Sequence, residues 1–126
     1  MREDWKISYK RDLERRPNNN YFFTIDGFNC RISRMPMHHY CGYIQIPRDN
    51  GYHDEPNIKV HGGITFMGCD GWVGFDCAHY DDITPKVEMY METIVTSKID
   101  SQHKTYKTFE FVFDNLKSMA EQLKTK

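Results

Sequence analysis

Residues 21–34, YFFTIDGFNCRISR, constrain the fold more tightly than any other stretch of this chain. Phe23 and Ile25 alternate with Thr24 up to Asp26-Gly27, the dipeptide that supplies the positive φ of a tight hairpin turn. Phe28, Cys30 and Ile32 then alternate with Asn29, Arg31 and Ser33. Side chains alternate across a strand, so one face of this hairpin is buried and the other is wet. Such a hairpin commits the chain to an antiparallel sheet that needs cover on one side.

The cover is legible at the other end. Over residues 105–126, Phe109, Val112, Phe113, Leu116, Met119, Ala120 and Leu123 recur at three- and four-residue steps, one apolar stripe of a helix. Thr105 or Thr108 caps its start, and Lys117, Lys124 and Lys126 suit the negative end of its dipole. Between hairpin and helix, residues 40–46 (YCGYIQI) read as a strand closed by Pro47, and PRDNGYHDEPN as a long loop. Residues 58–66 (IKVHGGITF) and 71–80 (GWVGFDCAHY), joined by MGCD, read as a second hairpin or two adjacent strands. Residues 86–95 read as a short helix or a loop. In the first 20 residues, Trp5, Ile7 and Tyr9 alternate as in a short strand before the turn-forming ERRPNNN, so this segment is a flexible or strand-forming extension. The expected architecture is α+β: a single domain over residues 1–126, an antiparallel β-sheet with a C-terminal amphipathic helix packed on it.

Composition narrows the function classes. With 39% apolar and 28% charged residues the chain suits a globular protein rather than a disordered one. Its 17 basic and 18 acidic residues balance to −1, which gives no electrostatic case for a nucleic-acid or membrane partner. No apolar run approaches the roughly 20 residues of a membrane span, and the charged N-terminus lacks the core of a signal peptide. A cytoplasmic location is therefore expected. Cys30, Cys41, Cys69 and Cys77 form no CxxC pair and read as packing thiols.

Two motifs concentrate the chemistry. His61-Gly62-Gly63-Ile64-Thr65 places adjacent glycines where the backbone must bend or let something approach closely. In Phe75-Asp76-Cys77-Ala78-His79 an apolar run ends at a carboxylate, with an imidazole three residues on and Asp81 and Asp82 behind it. His61, Asp76 and His79 are the candidate catalytic groups, and Gly62, Gly63, Thr65, Phe75, Asp81 and Asp82 the candidate ligand-binding ones. Imidazoles and carboxylates around one cleft supply general acid–base chemistry or a site for a divalent metal such as zinc or manganese. Each motif also has a plainer reading, a bulge and a polar turn. His38-His39, His53 and His103 read as exposed, Cys77 as packing, and Trp72, Phe75, Tyr43 and Tyr80 as core or stacking aromatics.

The segments Val60–Phe66 and Gly71–His79, with Asp81 or Asp82 behind them and Ala120-Glu121-Gln122-Leu123 at the end, resemble an uncharacterised family of small phage and prophage proteins. That family combines an HGG(I/L)T(F/Y) segment with a GFDxAHxxD segment. The resemblance spans roughly residues 40–124 and implies a virus-encoded protein of the host cytoplasm, with no activity attached. Three functions are then expected: binding of a small polar or nucleotide-type ligand in a His/Asp-lined pocket, hydrolysis by His/Asp acid–base or metal chemistry, or inhibition of a host protein.

Overall fold

Asp26 and Gly27 both take left-handed backbone angles (φ 52° and 84°), and the strands on either side pair antiparallel around them. In the computed structural model, which describes residues 4–94 and 104–124, the order is α1 (Trp5–Arg15), β1 (Asn20–Ile25), β2 (Phe28–Arg34), β3 (Tyr40–Gln45), β4 (Phe66–Met67), a 3-10 turn (Cys69–Gly71), β5 (Trp72–Asp76), α2 (Pro85–Ile94) and α3 (Phe109–Lys124). The sheet runs β1-β2-β3-β5-β4 and is antiparallel throughout.

The register separates two faces. Ile32 lies opposite Gly42 and Gly42 opposite Phe75, and this row packs under α3. A methyl group on Gly42 would stand 2.7 Å from the Phe75 ring and 2.9 Å from Val112, so the helix seats only over a glycine. Phe109 meets Tyr21 and Tyr40 edge-on, and Phe113 meets Phe23. Val112, Leu116, Met119, Ala120 and Leu123 are buried as the stripe requires. Thr108 is the cap, its Oγ1 accepting from Phe111 N at 3.1 Å. The opposite face carries the row Phe22, Arg31, Tyr43, Gly74, Phe66.

The α+β architecture with its covering helix is as the sequence implies, two local readings are corrected, and a third, left open between helix and loop, is decided. Residues 5–15 are helical, not a strand: Asp4 caps Lys6 N, and Trp5 packs on Tyr9 one turn later. Ile7, the middle of the apparent alternation, is 52% exposed. Residues 58–65 form no strand, because Gly62 and Gly63 both hold positive φ in a turn closed by Gly63 N to Val60 O. Only Phe66–Met67 joins the sheet. Residues 86–94 resolve into helix α2.

Candidate functional site

Asp82 is the centre of the polar cluster that the two motifs build. Its side chain is fully shielded from solvent and accepts from three donors. His61 Nε2 lies 3.0 Å from both carboxylate oxygens, His79 N 3.0 Å from Oδ2, and Lys107 Nζ 2.9 Å from Oδ1. Burial pushes its carboxyl upward, but the hydrogen bonds from His61, Lys107 and the His79 amide outweigh that and hold it below the ordinary carboxylate value. Because an ionised carboxylate only accepts, His61 donates to it from Nε2, and in the neutral ring Nδ1 is the nitrogen that carries the lone pair.

Local sequence explains the convergence. Asp76 ends β5 and accepts from Ala78 N at 3.0 Å, an Asx turn that reverses the chain. A second turn, Asp82 N to His79 O, folds the Asp82 carboxylate back beneath the His79 amide. Asp82 then bridges to Thr105, which brings Lys107 in from the strand-like approach to α3. On the other side Asn115 of α3 accepts from His61 N at 3.1 Å, and Phe111 sits edge-on to the His61 ring at 5.1 Å.

His79 packs edge-on to His61 with ring centroids 5.6 Å apart. It lies directly over Gly62, where a Cβ would fall 2.1 Å from its Nε2. Gly62 is thus the seat of an imidazole, the close approach that the paired glycines imply. Nε2 of His79 stands 3.4 Å from Asp76 Oδ1 but is not aligned to bond it, and this shielded nitrogen has no hydrogen-bond partner. His39, expected in an exposed loop, is half-buried with Nδ1 equally unpartnered. Burial lowers its pKa, and the charges of Asp76 and Asp82 only partly restore it.

The candidate residues fall into distinct places. His61, His79, Asp82 and Gly62 meet; Asp76 flanks His79 and does not bond His61. Asp81 is exposed and contributes its carbonyl, which accepts from Thr105 N. Gly63 has open space around it, and Thr65 pairs through its backbone with Gly74 O. Phe75 lies in the core at 1% exposure. Among the described residues no group of three or more His, Cys, Asp or Glu side chains is placed to hold a metal ion.

His38 and His53 also depart from the exposed loops expected of them. His38 shares a 2.8 Å hydrogen bond with Tyr9, and the His53 side chain is only 18% exposed; His103 lies outside the described residues. Lys107, Asn115 and His39 carry no motif that would have singled them out. Their positions come from α3, from the segment that leads into it and from the residue before β3, all distant in sequence from the two motifs. No family model, curated protein or solved structure matches the chain.

Proposed function

We propose that the protein binds a small polar ligand of nucleotide type at the edge formed by His39, Asp76 and His79. The observation that carries this reading is the pair of shielded imidazole nitrogens without partners, His39 Nδ1 and His79 Nε2. Buried polar atoms in native proteins are almost always satisfied, so two orphans near one carboxylate call for a group that pairs with them. Ribose hydroxyls or an amide supply both donors and acceptors. The resemblance to phage proteins gives the setting, a virus-encoded protein of the host cytoplasm.

The test is a thermal-stability panel over nucleosides, nucleotides and cyclic nucleotides. One class is expected to raise the melting temperature, a ligand at about 100 times its Kd stabilising by roughly 2.7 kcal/mol. The rise is expected to vanish in His79→Leu. A panel without any shift overturns the reading.

The His61–Asp82 pair favours a second reading, general-base hydrolysis. The carboxylate fixes the His61 tautomer and leaves Nδ1 free to take a proton. Turnover of a phosphodiester or amide substrate, lost in His61→Gln, is the expected sign of it, and unchanged turnover in that variant removes it.

A further inference from the structure

On the face of the sheet turned away from α3 lies a groove of about 400 Å³, within the range of small-molecule sites. Its walls are Phe22, Tyr43, Phe66 and Trp72, with Arg31 and Asp70 as the charged members. The row Phe22, Arg31, Tyr43, Gly74, Phe66 explains how so many rings meet. Gly74 lacks a side chain because the Tyr43 ring occupies that space, 2.5 Å from where a Cβ would be. Tyr43 then stands edge-on to Phe66, centroids 5.4 Å apart. The Arg31 guanidinium lies 4.1 Å from the centre of the Tyr43 ring, which fixes its plane.

Two features give this groove a chemical preference. Arg31 Nε is shielded from solvent and has no hydrogen-bond partner, an unused donor within an aromatic setting. Asp70 is held in a left-handed turn (φ 60°, ψ 31°), tied down where its carbonyl accepts from Gln45 Nε2 at 3.0 Å. Its carboxylate forms no ion pair among the described residues. Aromatic walls stack a planar ring, a guanidinium donates to adjacent acceptors, and a carboxylate accepts from ring N–H and amino groups.

We propose that this groove is a second binding site, separate from the His39–His79 edge, for a purine base of the guanine type in a small molecule. Guanine offers O6 and N7 as acceptors for the arginine. Its N1–H and 2-amino group, on the pairing edge, donate to the carboxylate. Adenine presents an amino donor where guanine has O6 and so leaves Arg31 without its second acceptor. The near-neutral chain gives no electrostatic footing for a polyanion, which favours a free nucleoside or nucleotide over a nucleic-acid strand.

Guanosine is the probe, with adenosine as its control. Titration into the full chain is expected to move the Trp72 indole N–H resonance while leaving the imidazole signals of His61 and His79 in place. It is also expected to slow alkylation of Cys69, the exposed cysteine of the groove, by about tenfold at saturation. Phe22 is 72% exposed, so Phe22→Ala keeps the fold and is expected to weaken guanosine about tenfold. Arg31→Lys retains the charge but not the fork, and is expected to weaken guanosine while leaving adenosine unchanged. Equal response to the two nucleosides overturns the proposal, as does undiminished guanosine binding in Arg31→Lys. Tighter binding of a guanine-bearing oligonucleotide than of guanosine overturns the small-molecule assignment. Shifts confined to the imidazoles would leave the His39–His79 reading standing and remove this one.

Discussion

Asp82 and Lys107 face each other with side chains 0% and 12% exposed, and neither charge is dispensable to the other. Replacing Asp82 by Asn removes the charge that pairs with the shielded ammonium and leaves one acceptor oxygen where two serve His61, the His79 amide and Lys107. Breaking such a pair from one side costs about 3–5 kcal/mol, and urea melts of Asp82→Asn are expected to show a loss of that order. The same carboxyl sets an acid limb. Its folded pKa lies below its unfolded one, near the ordinary ~3.9, so its stabilisation is complete above that value. It is lost as pH falls from there through the folded pKa. Wild type and Asp82→Asn are therefore expected to differ most at neutral pH and to approach each other in acid, a convergence that melts between pH 7 and pH 2 would read. The sequence made His61, Asp76 and His79 suspects, and two of the three meet. It did not single out Asp82 as the hub, because which carboxylate turns inward depends on the Asx turn at Asp76 and on Lys107 arriving from beyond residue 104.

At the scale of elements, the segments with a sustained period were legible and those whose pattern conflicts with their burial were not. The DG hairpin and α3 each repeat their pattern over several turns or alternations, so one odd residue does not disguise them. In α2, Val87, Tyr90, Met91 and Ile94 have helical spacing yet face solvent, while Pro85 and Glu88 are buried. Substituting Ile94 by Lys is thus expected to change stability by less than about 0.5 kcal/mol, against about 2–5 kcal/mol for Leu116→Ala in α3. The His61–Gly62–Gly63 turn gives a sharper comparison. Gly62 and Gly63 hold φ 68° and 81°, so alanine strains either backbone by about 1–2 kcal/mol. Only at Gly62 does the new methyl collide with His79. Gly62→Ala is expected to be the more destabilising of the two and to displace the His79 imidazole resonances, whereas Gly63→Ala leaves them unmoved. Equal effects on those resonances would remove Gly62 as the seat of His79.

For the molecule as a whole, the question is how α1 is joined to a core to which it contributes no side chain. The joint is a polar network. Asp12 of α1 is buried, accepts from Tyr106 Oη at 2.6 Å, and caps α3 by accepting from Phe109 N at 3.1 Å. Arg34 donates to the Asp12 carbonyl and, at 2.8 Å, to Tyr40 Oη, while Trp5 and Tyr9 stack around Tyr106. Burial first, then the neighbouring Tyr40 and Asp12, pushes the Tyr106 phenol upward, which favours the protonated form that donates to Asp12. Asp12→Ala removes the acceptor of the Phe109 amide and one of the partners of the Tyr106 hydroxyl, so a global loss of about 1–2 kcal/mol is expected. The loss is also expected to be uneven. A helix held by a few polar contacts and rings opens at lower free energy than strands beneath a packed helix. Hydrogen exchange is expected to show α1 amides in Asp12→Ala losing nearly all protection, while β2, β3 and β5 fall only by the global amount. A uniform fall across α1 and the sheet would instead make α1 part of the cooperative core, held by contacts beyond this network.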